Sequence, residues 1–384
     1  MPEELLALSS ELEDDLQQDI NIATEEDDPI EFKYSMSWYG ADYTIDGLVK
    51  RIKQGDIYIP PFQRSYVWDI KQASLFIESL LLGLPVPGIF LTKDDTKKLI
   101  VIDGNQRLKT LEYFYNGVFE PTGKPFQLVD VREEFRKATY NSLSAENRRE
   151  LDDSILHATI VRQDEPDKPD KPSDDNNSTY KSSIYLIFER LNTSGKVLAP
   201  QEVRSCVYHG DFKETLARLN QYQNWRAIYN GSDDADKRLR ADNRLRDEEL
   251  ILRFIALFNA HQEYRKPMRN FLNIYMKNNQ NKSSKVSSTE DLFIQAVDLI
   301  HEVIEKKAFR IRKGLNAAVF DAVMVGLASR ISNNRSIQKD ALKQAYDNLL
   351  KDQEFLKFVD TARTTENHAV QGRINLAIKA FAEI

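Results

Sequence analysis

The hydrophobic and polar positions follow two different patterns along the chain, and the change falls near residue 200. Before it, helical spacing of apolar residues alternates with short apolar runs typical of strands. Thr44 and Gly55 bound an amphipathic stretch as its predicted N-cap and end. Asp69 precedes a second helical pattern, and Gly117 ends a third that starts near residue 105. Two apolar runs around an Asp-Asp turn in GIFLTKDDTKKLIVIDG predict a hairpin, and residues 155–163 predict a further strand.

Beyond about residue 200 the pattern predicts helices alone, with apolar residues three and four apart. The predicted helical segments are PQEVRSCVYHG, DFKETLARLNQY, DEELILRFIALFNA, PMRNFLNIYMKN, DLFIQAVDLIHEVIEKKAF, NAAVFDAVMVGLAS, SIQKDALKQAYDNLL and HAVQGRINLAIKAFAEI. The polar stretch of residues 278–289 predicts an exposed loop. The pattern as a whole indicates an α+β protein.

Charge and composition divide the chain further. Residues 1–31 hold twelve Asp or Glu and no Lys or Arg, whereas the other residues carry 53 basic and 48 acidic groups. We therefore expect a flexible acidic leader over residues 1–35, a mixed domain over 36–210 with a flexible Pro- and Asp-rich insertion at about 163–183, and a helical domain over 211–384. The leader is either a solvated tail or a cover that competes with a polyanion for a basic groove.

Several functional classes are excluded by residue content. The one cysteine, Cys206, cannot form an intramolecular disulfide or a Cys-based zinc site. The apolar runs are shorter than the roughly 20 residues of a spanning helix, and the N-terminus is acidic. A cytoplasmic protein without membrane contact is expected. GxxxxGK[ST] and GxGxxG are both absent, which argues against P-loop and Rossmann sites.

The sequence LIVIDGNQRLKTL, residues 99–111, places polar residues at a strand-to-helix junction. A helix N-terminus presents backbone N–H groups and a positive dipole end, which suits a phosphate. Arg107 can add a bidentate contact, and Asp103 can hold Mg²⁺ or orient a water. The alternative is that Asp103-Gly104 is simply a turn and Arg107 a surface ion-pair partner.

Two further segments carry candidate chemistry. In IPPFQRSYVW, residues 59–68, Gln63 and Arg64 precede aromatic residues, so Arg64 can grip a nucleotide by charge and stacking, or Tyr66 and Trp68 can pack under the next helix. IFERLNTSGKVLAPQEVR, residues 187–204, contains a tight polar turn.

The run KRLRADNRLR, residues 237–246, contains five Lys or Arg and is the best basic patch for DNA phosphates. The alternative is a solvated helix face. Its DNA-binding candidates are Lys237, Arg238, Arg240 and Arg244.

Taken in order, IPPFQRSYVW, VIDGNQRLKTL and IFERLNTSGKVLAPQEVR resemble the motifs of a bacterial family, the N-terminal domain of GmrSD-type, modification-dependent restriction endonucleases. The resemblance spans roughly residues 40–210. It implies a ParB/sulfiredoxin-like mixed domain followed by an all-helical domain. It also implies a nucleotide- or phosphate-handling pocket, whose binding residues here are Gln63, Arg64, Gly104, Asn105, Arg107, Asn192 and Gly195. The family usually has Gln where this chain has Asn105.

The leading hypothesis is a nucleotide-binding, NTP-hydrolysing, DNA-associated module of a bacterial restriction or anti-phage system. Its candidate catalytic residues are Asp103, Gln106, Arg107 and Arg64, with Mg²⁺ as a candidate cofactor at Asp103. Relatives often carry an HNH-type nuclease domain, but the scattered histidines of this chain form no such pattern. A separate nuclease or defence-system subunit is therefore an expected partner.

Two other functions stay open. One is a non-catalytic module that recognises DNA or a partner protein, and the other is a metal-dependent DNA nickase that uses the same pocket. Which nucleotide the chain binds and whether it forms an oligomer are also open.

Overall fold

The protein consists of two compact units. The computed structural model describes residues 20–21, 32–33, 36–59, 66–93, 97–163, 168–169, 187, 199–208, 210–231, 242, 244–281, 283–311, 314–333, 337–360 and 363–384. The sheet unit lies within residues 31–198 and 202–207, and the helical unit within residues 1–30, 199–201 and 208–384. The α+β class with a helical C-terminal region is confirmed.

The sheet unit is built around a five-stranded sheet. Its strands are β1 (Met36–Thr44), β2 (Ile57–Tyr58), β3 (Ile89–Lys93), β4 (Leu99–Asp103) and β5 (Ile155–Gln163). Its helices are α1 (Ile45–Gln54), α2 (Ile70–Leu81), α3 (Asn105–Asn116) and α4 (Ala145–Asp153). Two-residue pairings also join Phe32–Lys33 to Lys168–Pro169 and Val118–Phe119 to Lys124–Pro125, and short 3-10 turns lie at Glu133–Phe135 and Tyr140–Ser142.

The strand order β1-β5-β3-β4-β2 brings the ends of β2 and β4, where the first motif begins and the second continues into α3, to one edge of the sheet. β1 and β5 are antiparallel, β5 and β3 parallel, β3 and β4 antiparallel, and β4 and β2 parallel. The ends of β1, β2 and β4 therefore meet the starts of β3 and β5. We call this side of the sheet the Asp103 edge, because β4 ends there at Asp103.

The helices of the sheet unit begin where the sequence places capping residues. Thr44 Oγ1 accepts a hydrogen bond from Gly47 N at the start of α1, and Gly55 ends that helix in the left-handed conformation. Asp69 and Gln72 form a capping box at the start of α2. One face of the sheet then packs against these helices in a common core, to which β3, β4 and α3 contribute Leu91, Val101 and Leu108.

The helical unit is confirmed as a set of helices, with bounds that differ in places from the sequence pattern. Helix α5 (Pro200–Val207) comes next along the chain, and its residues 202–207 belong to the sheet unit. The helices of the helical unit are α6 (Asp211–Asn220), α7 (Gln223–Asn230), α8 (Arg246–Ala260), α9 (Met268–Asn279), α10 (Ser283–Val303), α11 (Ala317–Ser332), α12 (Lys339–Leu349), α13 (Gln353–Val359) and α14 (Asn367–Phe381). Within this unit, Ile20–Asn21 pairs in parallel with Leu315–Asn316. No helix among the described residues is long and apolar enough to cross a membrane.

The predicted exposed loop over residues 278–289 is wrong in its second half. Helix α10 already begins at Ser283. The segment SSKVSST contains no Gly or Pro to stop a helix, so the helix extends N-terminally from the apolar stretch that follows.

The core of the helical unit contains buried ion pairs. Asp321 of α11 accepts hydrogen bonds from Arg253 Nε at 3.0 Å, Arg253 Nη2 at 2.6 Å and Arg373 Nη2 at 2.8 Å. Burial disfavours the Asp321 carboxylate, yet the two arginines outweigh it and lower the pKa of Asp321. The network therefore joins α8, α11 and α14 by charge as well as by apolar packing.

Candidate functional site

The predicted strand-to-helix junction is present at the Asp103 edge. β4 ends at Asp103 and α3 begins at Asn105, with Gly104 between them at a φ of 103°. A Cβ added to Gly104 would lie 2.3 Å from Ile89 Cγ2. Both the left-handed backbone and the close approach of β3 therefore require glycine here.

The pairing of β3 with β4 is irregular just before this junction. Leu91 pairs with Val101, whereas Phe90 pairs with Asp103, so β4 contains one extra residue, Ile102, in this register. A bulge of this kind changes the direction of the strand and often lies beside a functional site. Asp103 is thus displaced from the regular register of the sheet.

The N-terminus of α3 is suited to an anion. No side chain caps it, and its first turn contains no acidic residue, whereas α1 and α2 start with side-chain caps from Thr44 and Asp69. The positive end of the helix dipole is therefore not offset by a local carboxylate of the first turn. A helix N-terminus without a side-chain cap can accept an anion.

Arg107 lies in the first turn of α3 and forms an ion pair with Asp103. Arg107 Nη2 donates to Asp103 Oδ2 at 2.8 Å, and the Arg107 side chain is 14% exposed. Arg107 Nε is buried and has no hydrogen-bond partner among the described residues. The ion pair of Arg107 that the alternative interpretation of the motif predicts is thus present. Its guanidinium is mostly buried, however, and the Nε–H has no acceptor in the described part of the chain.

Gln106 connects this junction to the first sequence motif. Its side-chain Oε1 accepts hydrogen bonds from Val67 N at 2.9 Å and Trp68 N at 3.3 Å. Through these two bonds the amide oxygen of Gln106 holds the backbone of the segment that follows Arg64 in sequence.

Trp68 packs under the next helix, as one of the two sequence interpretations stated, whereas Tyr66 packs against α3. The Tyr66 hydroxyl lies 2.7 Å from Thr110 Oγ1, and Thr110 gives its own proton to the Gln106 carbonyl oxygen, so Tyr66 is the donor. The Tyr66 ring contacts Tyr113 edge-on. Burial is the main cause that raises the pKa of Tyr66 to about 12. Trp68 packs edge-on against Phe76 of α2 in the same way.

The structure brings together the site residues of the second motif, Asp103 to Arg107, with Asn105 buried at 8% exposure. The other predicted phosphate-binding residues, Gln63, Arg64, Asn192 and Gly195, lie outside the described residues, as do Lys237, Arg238 and Arg240. Arg244 is described, and its backbone N–H donates to Asp242 Oδ1 at 2.7 Å in the helical unit.

Sequence reasoning missed Ile89 and Thr110, which shape the junction. Ile89 restricts Gly104, and Thr110 links Tyr66 to α3. No motif marks either residue. The four-residue spacing from Gln106 to Thr110 places both on one helix face, and this spacing could have pointed to Thr110.

A metal centre built from protein ligands alone is not present in the described part of the chain, where no group of three or more His, Cys, Asp or Glu could hold an ion. Asp103 nevertheless keeps its Oδ1 free of hydrogen bonds to described residues. One carboxylate together with substrate phosphates is a usual environment for Mg²⁺.

The fold and the junction define an α+β domain with an Asp-Gly-X-Gln-Arg motif at one edge of a mixed sheet. Residues 45–209 match the family described as GmrSD restriction endonuclease, N-terminal domain. This match confirms the resemblance inferred from the three motifs. No curated protein and no solved structure shows a significant match to the chain.

Proposed function

We propose that the junction of Asp103, Gly104 and Arg107 binds the phosphates of a nucleoside triphosphate, and that the chain hydrolyses it as a DNA-associated module of a restriction or anti-phage system. The observation that carries the proposal is the buried, unsatisfied Nε of Arg107 at an uncapped helix N-terminus. A phosphate oxygen supplies the missing acceptor and meets the positive end of α3. The matched family supports the restriction context.

Each residue of the junction has a distinct part in this proposal. Arg107 neutralises phosphate charge, and Asp103 fixes the orientation of its guanidinium through their 2.8 Å contact. Gln106 holds residues 67 and 68 against α3, and the sequence places Gln63 and Arg64 just before that segment. Phosphoryl transfer requires mainly positioning and charge neutralisation, which these groups provide.

Mg²⁺ fits the proposal as a partner of the substrate phosphates. Asp103 Oδ1 would hold it, and the ion would neutralise charge on the phosphate oxygens.

A second candidate function is recognition without turnover. Asp103 is already paired with Arg107, and the Oε1 of Gln106 already accepts two backbone N–H groups. In this second candidate the pocket binds a nucleotide as a ligand, and a separate subunit cuts DNA. The basic run that includes Arg238, Arg240 and Arg244 would contact DNA phosphates in either case.

Phosphate release separates the two candidates. The wild-type chain should release phosphate from at least one ribonucleoside triphosphate with Mg²⁺, and Arg107→Ala should reduce the rate by about 10²-fold or more. Arg136→Ala is the matched control, because Arg136 also pairs with a carboxylate one turn away but is 57% exposed. Binding without release by the wild type favours the recognition module, and equal release by wild type and Arg107→Ala contradicts hydrolysis at this site.

A further inference from the structure

Strand β1 is the outermost strand of the five-stranded sheet, and its long outer side is open. It pairs with β5 in an unbroken register over nine residues, and no described strand lies on its other side. Gly40, at the middle of β1, is exposed. Because glycine has no side chain, this exposure is that of the strand backbone itself. We call this outer side, from Trp38 to Asp42, the β1 edge.

The main-chain groups of alternate residues point outward along the β1 edge. Directly after β1, Ile45 donates its N–H to the Ser154 carbonyl oxygen at 3.0 Å, in line with the register of β1 and β5. Hydrogen-bonded and non-hydrogen-bonded pairs alternate in an antiparallel ladder, so the odd-numbered residues of β1 bond to β5. The even-numbered residues Trp38, Gly40 and Asp42 therefore direct their N–H and C=O groups away from the sheet.

The carbonyl of His157 supports this assignment. His157 lies opposite Asp42 on β5. A Cβ built on Gly88, just before β3, would lie 2.8 Å from the His157 carbonyl oxygen, so this oxygen points toward β3 and away from β1. A residue in an antiparallel ladder directs its N–H and C=O to the same side, so Asp42 and His157 are not main-chain partners.

The β1 edge lacks the features that usually protect an edge strand from pairing. Such strands are commonly short or contain proline, lysine or a bulge. Strand β1 has nine residues in a regular register, and its sequence MSWYGADYT contains no Pro, Lys or Arg. Its one charged side chain, Asp42, is engaged within the sheet, since Asp42 Oδ1 lies 2.7 Å from His157 Nδ1. The Trp38 side chain is 74% exposed, so an apolar surface lies beside the open backbone.

The β1 sequence is complementary to itself about Gly40. Gly40 is the central residue of β1, so an antiparallel pairing about a two-fold axis at Gly40 is the one such register that pairs all nine residues. It places Trp38 of one copy opposite Asp42 of the other, and Tyr39 opposite Ala41. A large side chain thus faces a smaller one at each of these positions, and glycine faces glycine at the axis.

Polar groups also match in this register. The Trp38 indole N–H is a donor, and Asp42 Oδ2 is an acceptor that receives no hydrogen bond from the described residues. The two-fold axis produces this donor–acceptor pair twice. A register centred on Asp42 instead places two carboxylates opposite each other, which is unfavourable.

We propose that the β1 edge binds the β1 edge of a second copy of this chain, in antiparallel register about Gly40, so that two five-stranded sheets join into one continuous sheet. Trp38, Gly40 and Asp42 of the two copies exchange about six main-chain hydrogen bonds. The interface is small, so association is reversible, with a Kd of about 1 to 100 µM. It does not depend on the proposed nucleotide site, because each copy keeps its own Asp103 edge.

Sedimentation velocity of the full chain between about 1 and 300 µM measures the association, and the wild type should change from monomer to dimer in this range. Trp38→Glu places a second carboxylate opposite Asp42 at both symmetry-related positions and should weaken the dimer by about 10-fold or more. Leu75→Glu is the matched control, because it changes another exposed apolar residue of the same unit and should dimerise as the wild type does. Trp38→Glu combined with Asp42→Lys restores opposite charges and should recover part of the affinity.

Residue-resolved amide hydrogen exchange tests the register directly. The N–H groups of Trp38, Gly40 and Asp42 should exchange fast in dilute solution and become protected as the concentration rises, whereas those of Tyr39 and Ala41 should be protected throughout. A wild type that stays monomeric at about 300 µM overturns the proposal. Equal dimerisation of Trp38→Glu and Leu75→Glu, or exchange at the three outward amides that does not depend on concentration in a dimerising chain, overturns it as well.

Discussion

The side-chain oxygen of Gln106 accepts a hydrogen bond from the backbone N–H of Val67 at 2.9 Å, and this contact joins two motifs that are 39 residues apart in sequence. Trp68 N donates a second hydrogen bond to the same oxygen. Within the first motif, Arg64 lies three residues before Val67. Gln106 therefore links the junction at Asp103 to the segment that carries the other predicted cation.

Removing the acceptor at Gln106 should release this segment. In Gln106→Leu we expect faster amide hydrogen exchange at Val67 and Trp68 and a loss of about 1 to 2 kcal/mol in the free energy of unfolding. Gln106→Glu keeps an oxygen acceptor and should preserve the protection. Gln127→Leu, at an exposed position, is the control. Unchanged exchange at both amides in Gln106→Leu would refute the anchoring role.

Gly104→Ala should destabilise the sheet unit more than a comparable glycine substitution. The new Cβ combines a left-handed backbone with a 2.3 Å approach to the buried Ile89, so we expect a loss of about 2 to 5 kcal/mol. Gly55→Ala is the matched control, because Gly55 also has a positive φ but nothing within 4 Å of the added Cβ. It should cost about 1 to 2 kcal/mol. If both variants lose the same free energy of unfolding in denaturant, Ile89 does not restrict the side chain at position 104.

Glu248 of α8 should make the helical unit less stable as the pH rises through the neutral range. Burial, and then the charge of Asp247, raise the pKa of Glu248 to about 7, while Lys213 opposes the shift. The unfolded chain loses this proton near pH 4.5, so stability is highest below that pH and falls until about pH 7. Glu248→Gln should be about 1 to 3 kcal/mol more stable than the wild type at pH 8, with the difference vanishing near pH 4.

Urea unfolding at several pH values measures this effect. The exposed Glu354→Gln is the control and should change the free energy of unfolding only slightly. A pH-independent gain in Glu248→Gln would contradict the buried, neutral carboxyl.

Asp321→Asn should be among the most destabilising substitutions in the helical unit. It leaves Arg253 and Arg373 buried without the carboxylate that they share, at an expected cost of about 3 to 5 kcal/mol. Asp130→Asn removes an exposed pair with Lys71, which solvent screens, and it should cost much less than Asp321→Asn. Similar losses for the two variants in chemical denaturation would argue against a structural role for the buried network.

The sequence predicts those elements whose start or end depends on local chemistry. Thr44, Asp69 and Gly117 mark helix ends through side-chain caps or a left-handed conformation, and all three are confirmed. The strand over residues 155–163 is also confirmed. In these cases the interactions that fix the boundary lie within a few residues of it.

Elements that depend on distant contacts are missed. Strand β1 contains Gly40 and Asp42, which weaken a strand pattern, but it pairs along its whole length with β5, over 100 residues away. Helices α7 and α13 are each about two turns long and give too little periodicity to recognise.

The candidate site also contains features that local sequence predicts and features that depend on distant contacts. The motif predicts the junction at Asp103, because the strand, the glycine and the helix start are contiguous. The contact of Ile89 with Gly104 and, at the β1 edge, the pairing of His157 with Asp42 result from strand order, which a local pattern does not encode. For that reason the scattered histidines of the sequence give no indication of a pair.

Nucleotide affinity of the Arg107 variant is the most direct test of an anion site at the start of α3. Calorimetric titration with the four ribonucleoside triphosphates and Mg²⁺ should find at least one that binds the wild-type chain, and Arg107→Ala should weaken its Kd by about 10-fold or more, as expected for a lost charge-assisted contact of about 1.5 to 3 kcal/mol. Arg136→Ala should bind as the wild type does. An unchanged Kd in Arg107→Ala, or no binding of any of the four to the wild type, would contradict the account.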